Sequence, residues 1–106
     1  MSESRSYQSE FPDFGQLDVE LPSGFSDVSW HHDAMPSFQK KLPNNDTVLL
    51  LIDYQDVAKR ENSGFDRFIG LLYSSAHGEQ LRKRFSTNDW AAMVRWAVDQ
   101  DGVAAA

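Results

Sequence analysis

The one run of metal-ligand residue types is Trp30-His31-His32-Asp33. A metal site needs donors that converge from one side, and successive side chains of a strand point to opposite faces, so His31 and His32 cannot readily share an ion there. His31 and Asp33 have the permissive i, i+2 spacing, with His77 as a candidate third donor. A solvated strand end is the simpler reading, and no metal or other cofactor is expected. Asp53, Tyr54 and Asp56, with Glu61 further on, bring carboxylates close in sequence. Acid–base chemistry would need two of them in environments that drive their pKa values apart, whereas aspartates also simply form turns and cap loops. Ser74, Ser75 and His77 offer a hydroxyl and a base without a third group to orient them. Arg82-Lys83-Arg84 beside Phe85 is a short basic run. A nucleic-acid surface would interleave such charges with exposed aromatics across several strands, while an edge strand uses them to resist aggregation. No catalytic residue stands out, and the chain reads as a non-enzyme.

Composition narrows the partners. The 106 residues are 41% hydrophobic and 25% charged, ordinary for one folded domain. Cysteine is absent, which excludes disulfides, thiolate metal sites and cysteine nucleophiles. The first ten residues carry one arginine and no apolar run, so they are not expected to act as a secretory signal, and a cytoplasmic home is expected. The longest apolar run, Val48 to Ile52, is far shorter than the roughly 20 residues a membrane helix needs, so no membrane partner is expected. Residues 1–56 hold three Lys/Arg against ten Asp/Glu and residues 57–106 seven against six, so the halves carry −7 and +1. A negative half repels a phosphate backbone and attracts basic protein surfaces, so direct nucleic-acid binding is not expected.

The pattern predicts an α+β fold: an antiparallel sheet of four to five strands with one C-terminal amphipathic helix packed on one face. Residues 1–24, acidic and broken by Pro12, Gly15, Pro22 and Gly24, read as a flexible arm preceding a single domain over 25–106. Leu17, Val19 and Leu21 alternate with Asp18 and Glu20 and admit a short edge strand; otherwise Phe11 and Phe14 are free to dock on a partner. Alternation predicts a strand over 25–33, with Val28, Trp30 and His32 on one side, and a short edge strand through Phe38, Lys40 and Leu42. Thr47 to Tyr54 is apolar on both faces and is the expected central strand, its second face covered by the arm or a second copy. A polar connection over 55–64 precedes a strand over 65–73, a hairpin loop over 74–78 and a return strand over 79–85 with Leu81 and Phe85 facing the core. Ser86 and Asp89 resemble a capping box, and Gly102 follows the last periodic residue, giving a helix over about 87–101 with Trp90, Met93, Val94, Ala97 and Val98 as its buried stripe. Trp96 falls outside that stripe, either packed at the helix flank or serving as an interface anchor.

Trp30, Asp33, Pro36, Ser37 and Phe38, followed by Ile52-Asp53-Tyr54, Arg60-Glu61 and Arg67-Phe68, resemble a W-x-x-D-x-x-P-S-F, I-D-Y, R-E, R-F pattern of small bacterial proteins of uncharacterised activity. The resemblance spans residues 29–68; His32 stands where the pattern has Asn. It implies no activity, but implies that Trp30, Asp33, Pro36, Ser37, Phe38, Asp53, Tyr54, Arg60 and Glu61 gather in one cluster, with an Asp53–Arg60 contact fixing the polar loop.

The leading expectation is a non-catalytic protein-binding module, an inhibitor, immunity or regulatory partner of a basic protein. Phe11, Phe14, Trp30, His32, Asp53, Tyr54, Arg60 and Trp96 are its expected interaction residues. A small-ligand domain with a pocket around Trp30, His32, Tyr54 and Tyr73 is the alternative. A homodimer joined through Trp96 and the second sheet face is another.

Overall fold

Aliphatic residues on both sides of a short segment suit the interior of a sheet, and in the computed structural model Thr47–Ile52 is the middle strand. The structure describes residues 7–43, 45–60, 66–74 and 80–105, with side chains of the last helix as far as Gln100. A short helix α1 (Tyr7–Glu10) and a 3-10 turn (Pro12–Phe14) lead into β1 (Ser26–Asp27), β2 (Ser37–Lys41), β3 (Thr47–Ile52), a second 3-10 turn (Val57–Lys59), β4 (Phe68–Ser74), β5 (Gln80–Thr87) and α2 (Trp90–Ala105). The strands lie in sequence order, every neighbour antiparallel, so the architecture is the expected α+β one.

Register assigns the two faces, because residues directly opposite on antiparallel strands share a face. Phe38, Leu50, Gly70 and Phe85 form one cross-strand row, and Gln39, Leu49, Leu71 and Arg84 form the next, on the other side. The first side holds the core: Phe38, Val48, Leu50, Ile52, Phe68 and Leu72 are buried there against Met93 and Ala97 of α2. Each such side chain stabilises the fold by ~1.5–3 kcal/mol relative to exposure.

The segment expected as an arm packs on this same side. Phe11 is only 6% exposed, and Tyr7, Phe14, Leu17, Val19 and Leu21 lean on the core through side chains, with no ladder over 17–21. Three polar latches hold it. Arg67 binds Asp18 through both terminal nitrogens, at 2.8 and 2.5 Å; the Trp90 indole N–H donates to the Glu20 carbonyl at 3.0 Å; and the Tyr7 N–H donates to Asp27 Oδ2 at 2.7 Å.

Other expectations are corrected. The strand over 25–33 shrinks to Ser26–Asp27, because Asp27 Oδ1 accepts the Ser29 N–H at 3.1 Å, an aspartate turn that competes with the ladder. β2 is interior rather than an edge, since β1 pairs with it. A register shift between Leu72 and Tyr73 moves Leu81 opposite Tyr73, so Leu81 is 52% exposed instead of buried. Asp89, not Ser86, caps α2: its carboxylate accepts the Ala91 N–H at 3.1 Å and its carbonyl accepts the Met93 N–H. Gly102 does not end the helix, which runs to Ala105. The buried stripe is also turned toward Trp96, leaving Val98 55% exposed. Gly70 explains the rotation: it has no side chain, and a Cβ built on it would meet Trp96 Cζ3 at 2.5 Å and Met93 Sδ at 2.9 Å. The space over Gly70 is therefore filled by the Trp96 ring, which stacks on Phe85 with centroids 5.9 Å apart. The hairpin loop with Ser75 and His77, and Glu61 of the polar connection, lie outside the described residues.

Candidate functional site

α2 and the N-terminal segment both cover the first side of the sheet, which leaves the second side open among the described residues. Leu49 and Leu51 of β3 and Ile69, Leu71 and Tyr73 of β4 alternate onto it, and all five remain partly exposed. Opposite-strand pairs Leu49–Leu71 and Leu51–Ile69 place these aliphatic groups side by side in a continuous strip. The turn after Trp30 closes one end, where Asp33, Ala34 and Met35 join Ser37, Leu49, Leu51, Leu71 and Tyr73 around a groove of about 320 Å³.

Cations border this strip. Arg84 of β5 lies opposite Leu71, and Arg82 is the additional residue at the bulge between Leu81 and Lys83. On the β2 side Lys41 lies opposite Thr47 and donates to its hydroxyl at 3.3 Å. Lys83 points the other way, to Gln100 of α2 at 3.4 Å. Strand alternation thus puts Arg84 on the open side and Lys83 toward the helix, with Arg82 at the bulge on the same β5 border.

The turn at the groove's end gathers exposed rings. Trp30 is 38% exposed, its ring centroid is 4.3 Å from that of His31 and 5.2 Å from that of His32, and the two imidazoles are 4.2 Å apart. The expectation that His31 and His32 diverge is overturned, because residues 31–35 are turn rather than strand. Glu10 ties the turn to α1, accepting the His31 N–H at 3.1 Å and lying 2.8 Å from its Nδ1. Among the described residues no group of three His, Cys, Asp or Glu is arranged to hold a metal ion, and no helix is long and apolar enough to cross a membrane.

The other expected interaction residues are elsewhere. Phe14 packs on Tyr54 and Tyr7 at centroid distances of 5.1 and 5.8 Å, within the chain. Tyr54 lines a separate concavity of about 310 Å³ with Asp13, Phe14 and Lys59, whereas Tyr73 lines the open groove, so the expected shared pocket is divided between two places. Trp96 belongs to the helix side, so it and the second sheet face cannot form one dimer surface. Arg60 reaches the carbonyls of Tyr54 at 2.6 Å and Gln55 at 3.4 Å, while the Asp53 carboxylate accepts the Tyr54 N–H at 2.8 Å; the polar loop is fixed through the backbone beside Asp53.

No family model matches the chain, and neither a curated protein nor a solved structure matches it.

Sequence reasoning met Arg67 only as part of the R-F pair and gave it no partner or role. Its side chain is nearly buried, and besides Asp18 it donates from Nε to the Asp53 carbonyl at 2.9 Å. Those hydrogen bonds hold the Asp18 carboxyl below the usual carboxylate range, with the guanidinium charge adding to the effect and partial burial opposing it. Its partner lies 49 residues away, a separation that no local pattern reports.

Proposed function

We propose that this chain is a non-catalytic protein-binding module, and that its binding surface is the open side of the sheet. The observation that carries this reading is the apolar strip of Leu49, Leu51, Ile69, Leu71 and Tyr73, exposed in part on a domain whose other side is covered by α2 and the N-terminal segment. A contiguous apolar patch rimmed by polar groups marks interaction sites on folded proteins. Trp30, exposed just ahead of the turn whose residues 33–35 line the groove, is of the residue type most often found as an interface anchor.

The acidic first half supports the fold more than it supports a free acidic face. Glu10, Asp18, Asp27, Asp53 and Asp56 each accept hydrogen bonds from groups of this same chain. The partner expected from net charge alone, a basic protein, therefore has less to bind than the open side offers an apolar one.

Affinity capture with two baits tests the reading: the natural chain and a Leu49→Asp/Leu71→Asp variant, each run at low and high salt. Proteins held by the natural chain and lost by the folded variant are expected. Identical captures by both baits would remove the open side from consideration.

A further inference from the structure

We infer that the occupant of the open sheet side is an acidic amphipathic helix presented by a partner protein; this rests on the binding surface just proposed and adds the chemistry of its ligand. Size, charge and geometry each bear on it.

The apolar strip lies on two strands and covers about five residues along each, roughly 160 Å² from sheet dimensions. A standard globular interface needs about 800 Å² per partner, so the strip is small for a second domain. A helix about 10 Å wide and about three turns long matches it. The sheet already shows this mode of cover, because α2 lies across the opposite side with Met93 and Ala97 turned inward.

Charge selects the helix. Arg82 and Arg84 stand on the β5 border and Lys41 on the β2 border, all exposed, while Asp33 is the single carboxylate at the groove's end among the described residues. A helix that presents leucine-like residues to the strip and carboxylates to both borders meets cations on each flank. A second copy of this chain meets the wrong charge: a two-fold axis across the strands sets β5 on β5, and one along them sets β5 on the Lys41 border. An anionic lipid surface would satisfy the same cations, but it extends beyond the strip and meets the chain's net charge of −6 as a whole, whereas a narrow helix lies within a screening length of the strip and its bordering cations alone. Strand addition at β5 is disfavoured by the bulge and by the arginines that protect that edge.

Titration of the full chain against labelled synthetic peptides distinguishes these cases. The probes are an alanine-based helix with a leucine stripe flanked by glutamates, its lysine-flanked counterpart, and phosphatidylcholine vesicles with and without phosphatidylserine. The glutamate peptide is expected to bind about tenfold more tightly than the lysine peptide. The Arg82→Glu/Arg84→Glu variant should invert that order, and Leu71→Asp should abolish binding of both, with circular dichroism confirming that each variant folds. Equal affinity for the two peptides, or preference for the lysine one, overturns the acidic helix; if Leu71→Asp still abolishes that binding, the open side survives as the binding surface. Binding of phosphatidylserine vesicles in place of peptides, self-association in sedimentation that Leu71→Asp dissolves, or no binding of any probe also overturns it.

Discussion

Adjacent residues of β3 and β4 have opposite surroundings although their compositions hardly differ. Leu50 and Leu72 are enclosed by Met93, Ala97 and the N-terminal segment; Leu49 and Leu71, one position away, pair with each other across the strands and stay partly exposed in the groove. Hydrophobicity of a strand therefore does not say which side the rest of the chain will cover. Here the choice follows from what the covering elements require. The guanidinium of Arg67 fixes Asp18, Trp90 fixes the Glu20 carbonyl and Gly70 makes room for Trp96, and each draws its segment to the same side.

Truncation should separate the sides most clearly. Leu50→Ala removes a fully buried side chain and is expected to cost ~3–4 kcal/mol in urea unfolding, whereas Leu49→Ala should cost ~1 kcal/mol or less. Comparable losses at both positions would show that the second side is covered too. Gly70→Ala tests the reason for the asymmetry. Its new methyl strikes the Trp96 ring, so a loss of ~1–3 kcal/mol and a change in tryptophan emission are expected, largely relieved when Trp96→Leu is added. Wild-type emission with unchanged stability would place Trp96 away from Gly70.

The Asp18–Arg67 latch should contribute less, because the carboxylate is partly open to solvent and its ion pair is screened. Asp18→Asn is expected to cost ~1 kcal/mol at neutral pH. The folded carboxyl is more acidic than the unfolded one at about 3.9, so the stabilisation is present above that value and is lost as pH falls through the lower folded value. The gap between wild type and Asp18→Asn should therefore close on acidification below pH ~4; a gap unchanged by pH would point to packing, not charge. Arg84→Glu should have the smallest effect, within ~0.5 kcal/mol, since Arg84 is exposed and on the open side. A larger loss would reveal a structural role on β5.

Much of the framework was readable from local pattern. The two-sided apolar run of β3 and the periodicity after Asp89 gave a middle strand and a helix, because each depends on neighbours within a turn or two. The turn at 31–35 was hidden because the carboxylate of Asp27, not the apolar alternation around it, decides where β1 ends. The exposure of Leu81 was hidden because one additional residue at a bulge reverses the side of everything beyond it. The open side itself was half visible: Leu49, Leu51, Ile69 and Leu71 required some cover, but the 49-residue link from Asp18 to Arg67 that takes the N-terminal segment elsewhere leaves no local trace.

Unfolding free energies of Leu71→Asp and Leu72→Asp, neighbours on one strand, test the division between sides most directly. Leu71→Asp should remain folded with a loss of about 1 kcal/mol or less, as expected for a partly exposed site. Leu72→Asp should lose several kcal/mol or fail to fold, because its carboxylate enters the core. Equal and severe losses at both positions would contradict an open second side.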